Sequence, residues 1–307
     1  MKSVYIFIAC VLGLVIGLGS VFLSSKNISL PSIPYLPSIP SHPNLPSQNP
    51  VNLPQAHNAF GFNILTLINK EEQQKNIFIS PSSIALALSM IYNGAGGETR
   101  KVIQQALRLQ NLDISTVNQE SLGLLQALNN PDSDVELSVA NSMWMRQEIA
   151  FKKDFIETIG TYYKAKISSL DFNSPAAPAT INAWVSENTK GKIPIIVDSI
   201  SSDLVMFLIN AVYFKGTWTT AFDKQQTKEK VFNGISGQKQ HPFMQRHETL
   251  PYLETDDLQS VSLPYGKNKR FSMLVFLPKQ LNSFIDNLSL EQWNEWMKQY
   301  QEMEQGN

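Results

Sequence analysis

Ser202 to Phe222 reads SDLVMFLINAVYFKGTWTTAF. Between Leu204 and Phe214 both parities are apolar: Leu204, Met206, Leu208, Val212 and Phe214 alternate with Val205, Phe207, Ile209, Ala211 and Tyr213. A β-strand sends alternate side chains to opposite faces, so this run is a strand covered on both, as in the interior of a large sheet. A buried helix is the rival reading. The β-branched and aromatic content, and Lys215-Gly216 closing the run, favour the strand. Asn210 is its one polar residue. A buried amide left unpaired costs about 1–3 kcal/mol, so its partners are expected on a neighbouring element.

Upstream, Phe60, Ile64, Leu67 and Ile68 share a helical face, which predicts an amphipathic helix over His57 to Asn69. Ile77 to Ile79 reads as a short strand. Ser80-Pro81 then starts a helix to Tyr92: a serine accepts a bond from an orphan N–H, and a proline in the first turn has no donor to leave unpaired. That helix is apolar nearly all round and must be buried. Asn93 to Gly97 ends it with left-handed positions, and Glu98 to Leu109 forms the next. Ser80 and Ser83 lack a Gly-x-Ser-x-Gly elbow, so a nucleophile is not their reading.

Val135 to Met145 alternates as a strand, Phe151 to Tyr163 is helical, and Ile167 to Phe172 is a short strand. Ala179 to Thr189 is a helix whose Trp184 is a packing residue. Trp218 stands just past the glycine that ends the long strand, where it plugs the end of the core. Phe243-Met244, Tyr252-Leu253, Val261 to Leu263 and Phe271 to Leu277 are short strands between turns, followed by helices over 281–288 and 291–301. His241 and His247 share parity, but two histidines without a third ligand make no metal site. Asp256-Asp257 reads as a turn. Trp293, Trp296, Met297 and Tyr300 form a stripe that needs a surface to cover it.

The 307 residues are 43% hydrophobic and 17% charged, enough for a sizeable core. A net charge of −1 gives no electrostatic reason to propose nucleic acid. Cys10 is the single cysteine, so no internal disulfide can form. Val4 to Leu23 carries no charge and is long enough to span a bilayer, which reads as an uncleaved signal-anchor over residues 1–26; Gly17 to Ser20 keeps a cleaved signal peptide as the alternative. The first case places the body on the extracytoplasmic side of a membrane, the second secretes it. A lipidation site at Cys10 is disfavoured, because the apolar run continues well beyond it. Residues 27–54 carry prolines at 31, 34, 37, 40, 43, 46, 50 and 54, a spacing that blocks helix and sheet and makes an extended stalk. The remaining domain is 55–307.

Two segments resemble a known family. NAVYFKGTWTTAF (210–222) is similar to the strand-end and breach segment of the serpins, and NIFISPSSIALALSMIYNGAGGET (76–99) to their shutter helix and following turn. Weaker matches follow in the family's order: VELSVANSMWMRQEIAFKKDFIETIGTYYKAKISSLDF, INAWVSENTKGKI and VSLPYGKNKRFSMLVFLP. The resemblance implies an α+β fold with a large mixed sheet A, smaller sheets B and C and about eight helices. It implies suicide inhibition of a serine or cysteine protease without cofactor, metal or catalytic residues of its own. It assigns Ser80, Ser83 and Asn210 to a shutter and Lys215, Gly216 and Trp218 to a breach, and it lays the helix bearing Trp184 across the front of sheet A. After Pro278 the chain departs from the pattern: the family's reactive loop and C-terminal hairpin have no counterpart before Asn307. The expectation is therefore a truncated, inactive inhibitor, with a membrane-tethered, non-inhibitory binding module as the alternative. No catalytic triad, metal ligand set or phosphate loop supports an enzyme.

Overall fold

A computed structural model describes residues 50–72, 75–129, 133–234 and 237–305. The apolar segment 4–23 and the stalk up to residue 49 lie outside them. Among the described residues no helix is long and apolar enough to cross a membrane.

The central sheet, sheet A, is built on β1 (Val135–Arg146). β2 (Lys166–Leu170) pairs with it in parallel through the crossover helix α5 (Lys153–Tyr162), and β3 (Met206–Gly216) pairs antiparallel, giving the mixed order β2-β1-β3. β3 is the strand read from the sequence, and its parities divide as expected. Met206, Leu208 and Val212 join the core beneath the sheet with Val139 and Met143 of β1 and Leu86, Ala87, Met90 and Ile91 of α2 (Pro81–Gly94). Phe207, Ile209 and Ala211 face the opposite way, into a second core with Ile181, Trp184 and Val185 of α6 (Ala177–Asn188). Trp184 packs edge-on against Trp144 of β1, ring centroids 6.2 Å apart. The position of β3 differs from the reading: it lies at the edge of the described sheet, and among the described residues no strand pairs with its second side. Helices on both faces account for its burial. Side-chain alternation reports faces and carries no information about hydrogen-bonding edges.

α1 (Leu53–Glu71) begins four residues before the expected helix. Asn52 caps it by accepting from the Gln55 N–H at 3.0 Å, and Pro54 sits in its first turn rather than in the stalk. α3 (Gly97–Ala106) follows α2, and α4 (Ile114–Leu128), which the sequence reading did not identify, is capped by Asp113 accepting from the Thr116 N–H at 3.0 Å. Ile77 to Ile79 is extended without a ladder partner and is not a strand; Phe78 is 59% exposed. Sheet C is the hairpin β4 (Lys228–Gly234) and β5 (Gly237–Phe243); sheet B is β6 (Tyr252–Glu254), β7 (Leu258–Tyr265) and β8 (Phe271–Pro278). α7 (Leu281–Asp286) and α8 (Leu290–Gln305) complete the described elements. The aromatic stripe of α8 is covered: Trp296 and Tyr300 are buried against Leu253, Leu258, Phe276 and Phe284, and the Tyr300 and Ser260 hydroxyls hydrogen-bond at 2.5 Å.

Candidate functional site

α2 lies under sheet A with its N-terminal turn below the middle of β3, and this places Ser83 against Asn210. The Ser83 hydroxyl donates to Asn210 Oδ1. Asn210 Nδ2 donates to Asn141 Oδ1 at 2.7 Å, and Asn141 Nδ2 donates to the Tyr163 carbonyl at 2.7 Å. Asn141 and Asn210 stand directly opposite in the β1–β3 register, so two strands and a helix are tied by one line of amides. Ser83, Asn141 and Asn210 are all buried, Asn210 completely. Beyond it the Tyr163 hydroxyl donates to Asn118 Oδ1 at 2.9 Å and accepts from Asn93 Nδ2 at 3.2 Å. Burial pushes the Tyr163 hydroxyl up to about 12, so it stays a neutral donor. A buried polar line of this kind is stable only when every member is satisfied.

Ser80 does not join this line. It precedes α2 as expected, but its side chain makes no capping hydrogen bond; its carbonyl accepts from the Ile84 N–H at 3.1 Å. Asn141 was missed in the sequence, although it interrupts the apolar parity Val135, Leu137, Val139, Met143, Met145 as Asn210 interrupts its own.

At the far end of β3 an aromatic stack closes the sheet. Trp218 lies flat on Tyr265 of β7, centroids 4.2 Å apart at 13°, and Phe214 meets the same ring edge-on at 5.2 Å. Main-chain bonds hold the stack: Gly266 N–H to the Thr217 carbonyl at 2.8 Å and Thr219 N–H to the Pro264 carbonyl at 3.0 Å. Gly216 is required by close approach. A Cβ there would lie 2.6 Å from Tyr265 Cδ1 and 2.8 Å from Phe214 Cζ. Gly216→Ala is therefore expected to push the two rings apart and destabilise the fold by about 2 kcal/mol, read as a lower denaturant midpoint with altered tryptophan emission; an unchanged midpoint would mean that the rings yield freely. Lys215 pairs in register with Glu136, whose carboxylate also takes an ion pair from Lys190.

Residues 55–306 match the family model "Serpin (serine protease inhibitor)". The chain belongs to the serpin family. It is 33% identical over 259 residues to the leukocyte elastase inhibitor of Xenopus tropicalis, covering 80% of this chain and 68% of that one. It is 33% identical over 207 residues to an uncharacterized serpin-like protein of Thermococcus kodakarensis, covering 67% of this chain and 48% of that one. The crystal structure of the thermophilic serpin tengpin in the latent state superposes with a TM-score of 0.71 at 31% identity, over 79% of this chain and 66% of that one. The chain thus spans between about half and two thirds of these relatives, and within that span the serpin fold is present, with its mixed sheet A, smaller sheets B and C and eight helices among the described residues. Of the serpin positions anticipated for the shutter, Ser83 and Asn210 meet and Ser80 stands apart; of those for the breach, Gly216 and Trp218 meet on Tyr265 while Lys215 lies one register step inside β3. Among the described residues no group of three or more His, Cys, Asp or Glu side chains could hold a metal.

Proposed function

We propose that this serpin acts as a serine-type protease inhibitor through sheet A, by accepting a cleaved loop as a new strand beside β3. The observation that carries the reading is the second edge of β3: an eleven-residue strand buried on both faces whose outer row of N–H and C=O groups has no strand partner among the described residues. Ser83, Asn141 and Asn210 then serve as the shutter, holding β1, β3 and α2 in register while that edge is open. Gly216 and Trp218 serve as the breach, where an entering strand first meets the sheet. None of the described segments is assigned as bait. The candidate membrane segment 4–23 and the proline-rich stalk support an extracytoplasmic placement of the inhibitor.

Two measurements on the full 307-residue chain test this. A synthetic peptide of about a dozen threonine, valine and alanine residues, long enough to run beside β3, is expected to raise the thermal midpoint by about 10 °C and to protect β3 amides from hydrogen exchange. No shift and no protection would remove the insertion reading and favour a tethered, non-inhibitory binding module.

A further inference from the structure

Leu30 to Ser47 reads LPSIPYLPSIPSHPNLPS. It divides into tripeptides with proline always second, leucine or isoleucine first in all but the one that begins with His42, and a polar residue or Tyr35 third. A polyproline II helix turns once in three residues, so each position of the repeat lines its own edge. One edge is all proline, the next holds Leu30, Ile33, Leu36, Ile39 and Leu45, and the third is polar. A spacer needs the prolines. It does not need a branched apolar side chain at every turn, and a continuous apolar edge of this kind marks a contact surface. The body carries a groove of suitable chemistry. Phe222, Phe232, His241, Pro242, Phe243 and Met244 line a shallow depression of about 440 Å³ on the β4–β5 hairpin. Phe232 meets His241 edge-on with centroids 5.8 Å apart and Phe243 at 6.5 Å, yet Phe232 remains 51% exposed and Met244 47%. The strand register puts Lys228, Lys230 and Lys239 on the same face as Phe232, and all three are exposed.

We propose that residues 30–47 dock in this groove of the same chain as a polyproline II helix, folding the tether back onto the β4–β5 hairpin. Aromatic-lined grooves take this helix because it arrives already extended and loses little entropy on binding. Its proline and leucine or isoleucine edges would lie on Phe222, Phe232 and Phe243, with the serine edge toward water. A polyproline II helix makes no internal hydrogen bonds, so its carbonyls are free to accept from the lysine ammonium groups beside the groove. The segment has no Asp, Glu, Lys or Arg, so like-charge repulsion does not oppose its approach to those lysines. Reach is sufficient. The chain enters the described structure at Pro50, and the twenty residues from Leu30 span about 60 Å in this form. A body of this size is roughly 45 Å across. The groove holds one or two repeats at a time, and the others keep the local concentration high. Docked, the stalk shortens and draws the body toward the candidate membrane segment 4–23. The groove also adjoins the breach, since Phe222 meets Trp218 with centroids 6.0 Å apart. The proposal does not depend on the inhibitory reading.

The test puts the photoreactive residue p-benzoylphenylalanine in place of Met244 in the full 307-residue chain, carried in phosphatidylcholine vesicles, and maps the cross-links by mass spectrometry. Adducts of monomer mass that join position 244 to residues 30–47 are expected. Ile33→Ser, Leu36→Ser and Ile39→Ser together should lower their yield about fivefold. Phe232→Ser should do the same from the groove side without moving the thermal midpoint, because that ring is half exposed. Ser32→Gln, Ser38→Gln and Ser41→Gln, on the polar edge, should leave the yield unchanged. An equal loss there, or no loss from either apolar change, would overturn the proposal as unspecific contact. Adducts of twice the monomer mass would overturn it in favour of docking between two copies, and adducts with lipid alone in favour of a hairpin that faces the membrane. No adduct on residues 30–47 would end it.

Discussion

Replacing Asn210 by leucine is expected to lower the unfolding free energy by roughly 2–6 kcal/mol, because bonds to two buried partners are lost at once and removing a partner from a buried polar group costs about 1–3 kcal/mol. The Ser83 hydroxyl loses its acceptor, and Asn141 loses the donor that reaches it at 2.7 Å. Leucine keeps the branched heavy-atom skeleton of asparagine with bulkier methyl groups, so no cavity opens, and Asn210 is wholly buried, so water cannot substitute. The effect should be strongly non-additive. Ser83→Ala removes one end of the Ser83–Asn210 bond in advance, and the double variant should lose appreciably less than the two single variants combined. Urea titration reads the result, and an unchanged midpoint for Asn210→Leu would dismiss the polar line as a structural tie.

Acidification from neutrality to pH 4 should remove about 3 kcal/mol of stability through His57 alone. His57 is buried in α1, neither ring nitrogen has a hydrogen-bond partner, and burial lowers its pKa from 6.5 to about 4. Between those values the unfolded chain takes up a proton that the folded chain refuses, so the contribution is complete above pH 6.5, declines below it and is gone below about 4. The carboxylates of Asp113 and Glu254 are held low by the hydrogen bonds they accept, and their contributions are lost only at more acidic pH. His57→Leu should flatten the stability profile between pH 6.5 and 4 while leaving the steeper acid limb in place. An identical slope in both proteins would show that His57 is protonated in the folded state.

Much of the scaffold was legible because burial writes itself into side-chain periodicity. The two parities of β3 went to the two cores they indicated, α2 was as enclosed as its composition required, and the stripe on α8 found the surface it needed in sheet B. α4 escaped notice, although Asp113 and Thr116 mark its start, and β4 and β5 were too polar to show an alternation. Of the candidate site, Asn210 announced itself as a polar residue in an apolar strand; the pairing of Asn210 with Asn141 did not.

The sequence by itself determined which residues are covered, where helices such as α2 begin, and that 210–222 and 76–99 belong to a serpin. Only the tertiary structure decided that, among the described residues, no strand pairs with the second edge of β3, that Asn141 stands opposite Asn210, that Tyr265 closes over Gly216, and that Lys228, Lys230 and Lys239 share a face. The reason is physical. Strand neighbours and register are made by backbone N–H and C=O groups, which nearly every residue carries alike, so edges and cross-strand pairs leave no mark on the order of side chains along the chain.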